Sequence, residues 1–279
     1  GKVEANWTMP ALIPLIVLSH QYIIHKLSWI KPLRIIAIIS LLLIIAGRLY
    51  LVVDIGPDNA IKKRFHNNKV WAKAIAEKTT GAPVVFYNSY QRASLFWFYS
   101  GKQSHSHNAY NERRNNYNFW LTESMVLGKK VFIADIYNTS SFSDSVNTKK
   151  GWVGLTSDSS YSALGGIELI PEEKKIILDP ARIASIKCEV TIPNQYLNFL
   201  RSHPELRSEL FAGIFKGKEM VKEINMKLTA HQIARTTGNL DLIIDFTTLS
   251  PGKYILRFGI KVKDYPITHN SEKIEVENP

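Results

Sequence analysis

Hydrophobic positions follow three different rhythms along this chain. From Leu33 to Val53 (LRIIAIISLLLIIAGRLYLVV) they run almost unbroken, with only two charges, Arg34 in the first turn and Arg48 near the far end. As a helix, these 21 residues rise roughly 31 Å, the hydrocarbon thickness of a bilayer. The alternative is a helix buried on all sides in a large soluble core, but the remaining sequence offers no partner layers to wrap it. A weaker apolar run, Met9 to Ile24, reaches bilayer length when extended from Trp7 to His25. Its Pro10 and Pro14 stand in the first turns, where proline is tolerated, and Trp7 suits the interface. The pattern predicts two transmembrane helices, at about 7–25 and 33–53, within residues 1–56. The loop between them holds Lys26, Lys31 and Arg34, which places it in the cytoplasm and everything after Val53 on the opposite side. The cluster Lys62, Lys63, Arg64 argues the other way, but it opens a long domain, where charge counts for less.

The second rhythm mixes helical and strand periods over residues 57–137. Asn67-Asn68 is placed to cap a helix reaching about Thr79, with Val70, Trp71, Ala74 and Ile75 on one face and Gly81 as its stop. PVVFYN (Pro83–Asn88) and KKVFIADI (Lys129–Ile136) read as buried strands, and Tyr90–Tyr99 as a helix, which together predict a small α/β layer. Asn138 to Ser160 is rich in Ser, Thr, Asn and Asp, and residues 138–164 read as a linker or long surface loop.

The third rhythm is strict alternation. Ile186, Cys188, Val190 and Ile192 face one way, as do Tyr254, Leu256, Phe258, Ile260 and Val262. Leu210–Lys216, Ile224–Leu228, Leu240–Phe246 and Lys273–Val276 supply further strands, and SPGKY supplies a turn. Residues 165–279 are therefore expected to form a β-sandwich of immunoglobulin-like type. The fold class expected for the whole chain is an α-helical transmembrane hairpin, then a small α/β layer, then an all-β sandwich.

Composition sharpens this picture. The 279 residues carry a formal charge of +11, and the mean hydropathy is near zero, so a short membrane part precedes a long polar remainder. The basic residues are spread along the chain with no nucleic-acid motif among them, which favours membrane lipid over nucleic acid as the anionic partner. The single cysteine, Cys188, excludes an internal disulfide framework and a Cys-type metal cluster. The chain opens at Gly1 with no charged leader or signal-cleavage pattern, and the expectation is a C-terminal piece of a longer protein.

Candidate chemistry is concentrated in three places. Lys2, Glu4 and Asn6 stand at a helix mouth and suit a phosphate or sugar hydroxyls; equally, Asn6 or Thr8 caps the helix while Trp7 anchors it. Arg48 near the end of a span suits a lipid phosphate or simply snorkels to the headgroups. The stretch HSHNAYNERRNNYNFW, His105 to Trp120, interleaves basic, amide and aromatic side chains, a composition that suits phosphate and sugar recognition and equally a solvated loop without a ligand. Its His-x-His pair lacks a nearby third ligand, so no metal is expected, and no cofactor motif is visible. Asp54, Asp58, Glu112 and Asp135 are isolated acids.

The phrases VEANW, SYQRASLFWFYSG and NERRNNYNFW, in this order, resemble the C-terminal part of the bacterial family 39 glycosyltransferases, relatives of the aminoarabinose-lipid A transferase and of protein O-mannosyltransferases. Glu4, Asn6 and Trp7 match a helix-opening "EANWP", with Thr8 in place of proline. Ser89, Tyr90, Gln91, Ala93, Phe98 and Tyr99 match a second phrase. Arg113 or Arg114, Asn115, Asn116, Tyr117 and Trp120 match a third, in which Asn116 and Asn118 replace the expected Gln and Asp. The likeness covers about residues 1–136. It implies a GT-C type membrane enzyme that passes a sugar from a polyprenyl-phosphate carrier to a lipid or protein acceptor on the outer face of a bacterial plasma membrane. The catalytic acid would belong to the N-terminal transmembrane part of the same protein, and this chain alone is not expected to be active. Its substrate-binding candidates are Lys2, Glu4, Asn6, Trp7, Arg48, Tyr90, Gln91, Arg113, Arg114, Asn116 and Tyr117. The reading from another class is a membrane-anchored glycan- or protein-binding module without catalysis.

Overall fold

The structure is a computed structural model that describes residues 9–53, 65–137, 142–236 and 238–279, with side chains from Leu12 onward. Lys2, Glu4, Asn6 and Trp7 lie outside the described residues. The chain divides into two compact units, Gly1–His66 and Asn67–Pro279.

In the first unit, α1 (Met9–His25) and a 3₁₀ turn (Leu27–Trp29) lead into α2 (Ile30–Val52). The second helix starts three residues ahead of the predicted Leu33, because Pro32 falls in its first turn, where no intrahelical N–H is needed. Leu27–Val52 is long and apolar enough to cross a membrane; the described apolar part of α1, Leu12–His25, is shorter. No side chain of α2 is buried, so Ile38, Leu42, Ile45 and Leu49 leave apolar surface around the helix.

The second unit begins with α3 (Asn68–Lys78), β1 (Val84–Tyr87), α4 (Tyr90–Ser100), β2 (Ser104–His107), α5 (Asn116–Phe119) and β3 (Val131–Asp135). Its apolar face differs from the predicted one. Trp71, Ala72 and Ile75 are buried while Val70 is exposed, because α3 packs on a narrow stripe. Asn67 adopts a left-handed backbone and makes no side-chain cap, so the helix starts on backbone geometry alone.

Residues 138–164 are not the predicted linker. Within them β4 (Asp144–Thr148) and β5 (Gly151–Asp158) pair with each other, and β5 pairs antiparallel with β3. The sheet order is β2-β1-β3-β5-β4, with β2, β1 and β3 parallel. Of the two strands, β5 buries Val153 and Leu155 and β4 half-buries Val146, while Tyr161, Ala163 and Leu164 enter the core after β5, so the polar majority of β4 and β5 hides their strand character. Both faces of this sheet are covered. Val84 and Phe86 join Trp71, Ile75 and Phe96 on the helix side. Val85, Val131 and Ile133 join the core of the β-rich part on the other, which is why PVVFY reads as an unbroken apolar run.

That β-rich part holds β6 (Glu168–Pro171), β7 (Lys175–Ile177), β8 (Ile183–Thr191), α6 (Asn194–Ser202), β9 (Ser208–Lys216), β10 (Glu219–Asn225), α7 (Ala230–Ile233), β11 (Asn239–Asp245), β12 (Gly252–Val262) and β13 (Ile274–Asn278). One sheet runs β10-β9-β12-β13-β7 and another β11-β8-β6. All pairs are antiparallel except β13 with β7. Ile186, Cys188, Tyr254, Leu256, Phe258, Ile260 and Val262 are buried as the alternation requires. One hydrophobic cluster includes residues of both sheets together with Val85 and Ile133 of the first. The α/β layer and the β-rich part therefore share a core rather than meeting across a linker.

Candidate functional site

The segment His105–Trp120 begins in β2, whose four residues are all buried, so its first third is not a solvated loop. His107 is fixed from both ends: Nδ1 lies 2.9 Å from the Tyr161 hydroxyl and Nε2 2.8 Å from the Pro266 carbonyl. The carbonyl only accepts, so Nε2 carries the proton and Nδ1 accepts from Tyr161. His105 Nδ1 meets Thr122 Oγ1 at 2.9 Å. Burial holds His105 down to about 3, with His107 adding to the effect, and His107 down to about 4; both imidazoles are neutral near pH 7. Among the described residues no group of three His, Cys, Asp or Glu is placed to hold a metal.

After β2 the chain is tied to the β-rich part. Ala109 forms a bridge with Thr268, the Tyr110 amide donates to the Ile267 carbonyl at 2.9 Å, and the Tyr110 hydroxyl bonds the Glu223 carboxylate. Arg257 of β12 donates through Nη1 to the carbonyls of Tyr110 (2.8 Å) and Glu112 (3.2 Å). The amide-rich NNYN that follows is a capping box: the Asn115 side chain accepts from the Tyr117 amide and the Asn118 side chain from the Asn115 amide. These contacts hold Asn111–Arg114 in place as one wall of an open groove.

The groove encloses about 740 Å³. Arg113, Arg114, Lys218, Arg257 and Lys273 line it against two carboxylates, Glu112 and Glu272, and Phe119, Phe215 and Ile255 give it apolar walls. Arg114 is stacked on Phe119, 4.6 Å from the ring centre, and Arg257 on Phe215 at 5.5 Å. Arg114 also pairs with Glu168 at 3.1 Å. The Nε atoms of Arg114 and Arg257 and Nδ1 of His269 are buried without a hydrogen-bond partner, and these three residues all line the groove. Burial first, then the charges of Arg257 and Arg114, push His269 down to about 3, so it is a neutral ring beside two guanidiniums. Cations stacked on aromatic faces suit a ligand that joins an oxyanion to an apolar or sugar face.

His269 also borders an internal polar cavity of about 20 Å³, room for about one water. Glu123 lies on its wall, fully buried. Its Oε2 accepts from Tyr196 at 3.2 Å, while no donor reaches Oε1 at hydrogen-bond geometry. Burial raises its pKa to about 7, and Tyr196 and the amides of Leu164, Gly165 and Ala163 limit the rise.

Of the residues predicted from sequence, Arg113 and Arg114 line the groove. Tyr117 is buried, bonds Ser94 Oγ at 3.0 Å and faces the internal cavity instead. Asn116 is exposed on α5 outside the groove lining. Tyr90 and Gln91 sit exposed at the start of α4, bonded only to each other among the described contacts, and do not reach it. Arg48 is exposed on α2, in the first unit. Sequence reasoning missed Arg257, His269, Lys218 and Glu123. The alternation of β12 puts Arg257 on the face opposite Leu256 and Phe258, but nothing in it pairs that face with residues 110–114.

No family model and no curated protein matches this chain. Among solved structures, the extracellular domain of a hybrid two-component system from B. thetaiotaomicron is 11% identical, over 48% of this chain and 20% of that one, with a TM-score of 0.24. A glycosyl hydrolase family 2 member from Bacteroides cellulosilyticus is 19% identical, over 47% of this chain and 16% of that one, with a TM-score of 0.20. The chain thus spans a fifth or less of the length of these structures, and at such TM-scores neither defines its fold.

Proposed function

We propose that this chain is the C-terminal portion of an integral-membrane glycosyltransferase that moves a sugar from a polyprenyl-phosphate carrier to a lipid or protein acceptor. In this reading Leu27–Val52 spans a bacterial plasma membrane, the second unit is extracytoplasmic, and its β-rich part is an immunoglobulin-like support for the groove. The observation that carries the proposal is the position of Arg113 and Arg114. The NERRNNYNFW phrase singles them out, and they line a groove with Arg257, Phe119 and Phe215. Guanidiniums there would hold the carrier phosphate and stabilise the charge that develops as it leaves, while the aromatic rings would face the sugar. The catalytic carboxylate belongs to the preceding part of the protein and activates the acceptor.

The test is sugar transfer from a polyprenyl-phosphate donor by the longer protein in nanodiscs. Arg113→Ala is expected to weaken donor binding by about 1.5–3 kcal/mol, roughly 10–150-fold in Kd. Unchanged donor binding and turnover would remove the groove from the reaction. A second reading, an anchored glycan-binding module without catalysis, is favoured by one fact: every groove residue lies between Asn111 and Lys273, within the second unit. It predicts binding of donor or glycan with no transfer by any form of the protein.

A further inference from the structure

Next to the groove, Phe119, Trp120 and Leu121 are consecutive and 62%, 57% and 50% exposed. They leave the end of α5 as a ridge, and the capping box of Asn115 and Asn118 fixes the turn that presents them. Single exposed apolar side chains are ordinary, but three in succession, two of them aromatic, form a patch that water solvates poorly. The ridge is rimmed by cations: Arg114 lies over the Phe119 ring, and Arg113, Lys218, Arg257 and Lys273 line the groove that Phe119 borders. Aromatic side chains flanked by Lys and Arg are the arrangement that settles at the headgroup level of a bilayer. Fifteen residues, 53–67, separate α2 from α3 and extend to about 50 Å at most. With Leu27–Val52 as a membrane span, the second unit cannot leave the vicinity of a lipid surface.

We infer that the Phe119–Leu121 ridge docks into an anionic lipid surface, with the groove cations against the headgroup phosphates. The ridge supplies apolar burial, and Arg113 and Lys218, which have no carboxylate partner among the described residues, supply the charge complement. Docked in this way, the groove opens at the level where the phosphate of a lipid-linked ligand lies. The inference rests on the membrane-span reading but not on sugar transfer, since a non-catalytic module would dock equally.

The experiment places an environment-sensitive fluorophore at Leu121→Cys in the full chain, in nanodiscs of phosphatidylcholine with or without phosphatidylglycerol. The native Cys188 is buried, with its thiol pushed up to about 12, so it stays unlabelled. A control label replaces Ile243, exposed on β11. With phosphatidylglycerol present, the label at position 121 is expected to shift to the blue, to be quenched by nitroxide lipid and to be shielded from aqueous iodide, while the label at 243 stays open to iodide. Arg113→Glu and Lys218→Glu are each expected to lower the docked-to-undocked ratio about fivefold or more, the weight of one surface cation. Equal iodide access at 121 and 243 overturns the inference. Quenching that the charge reversals leave unchanged overturns the anionic-lipid assignment. A blue shift in lipid-free detergent that grows with protein concentration would assign the ridge to a second copy of the chain instead.

Discussion

At Glu123, His105, His107 and His269, burial sets the charge state, and the sign of each effect on stability follows. Glu123 keeps its proton in the folded state up to about pH 7, against about 4.5 for an ordinary carboxyl. Its contribution is therefore complete below about 4.5 and is lost as pH rises through 7. The three histidines work oppositely. Their folded values of about 3 to 4 lie below the ordinary 6.5, so their contribution is complete above 6.5 and is lost as pH falls toward 4. Between pH 5 and 6.5 three groups oppose one, and stability is expected to rise with pH by roughly 2 kcal/mol per unit. Glu123→Gln keeps the shape and removes the opposing proton, so urea midpoints measured across this window should rise more steeply in the variant. Parallel slopes for the two proteins would mean that Glu123 is ionised in the fold. The sequence marks His105 and His107 only as a His-x-His pair and gives no sign of their burial; Glu123 sits in LTESM, where nothing marks a buried acid.

Among the elements, β12 carries the most consequence. It pairs with β9 and β13, and its Arg257 braces the groove wall. It also passes unusually close to the chain at 267–268. A Cβ on Gly259 would lie 2.3 Å from the Thr268 carbonyl oxygen and 2.4 Å from the Ile267 side chain. The same approach lets Asn270 satisfy its whole amide: Oδ1 accepts from the Ile260 amide (2.7 Å) and Thr268 Oγ1 (2.5 Å), and Nδ2 donates to Leu164 (2.9 Å) and Ile167 (2.8 Å). Gly259→Ala should therefore push the 267–270 segment away and cost about 3 kcal/mol or more, seen as a lower thermal midpoint. An unchanged midpoint would mean that the backbone relaxes freely there. Alternation alone identified β12 and its buried face. It could not reveal this contact, because Gly259 reads as one more small residue and THNS as a polar loop.

For the whole molecule, the decisive fact is that Val85 and Ile133 of the α/β layer share a core with Leu210, Phe258 and Val276 of the β-rich part. Residues 67–279 should unfold in one cooperative transition in detergent, with tryptophan fluorescence and near-ultraviolet circular dichroism coincident. Two separated transitions, one for each predicted domain, would restore the domain boundary inside residues 138–164. The sequence suggests a boundary there because β4 and β5 are mostly polar. Strands that bury few side chains have the composition of a loop, and only their pairing with β3 distinguishes them.

The sequence by itself determined what depends on local periodicity: the long apolar helix, the helix after Asn67, the twice-covered β1, and the alternating strands from Ile183 to Val276. Each is a pattern of burial that repeats within a few residues, so its signal lies in the chain order. Which strands are neighbours, which acid is buried, and which cation from β12 meets the loop after His107 were decided by tertiary structure alone. These depend on contacts across up to about 150 residues of chain, such as Arg257 with Tyr110, and such distances leave no period in the sequence to read.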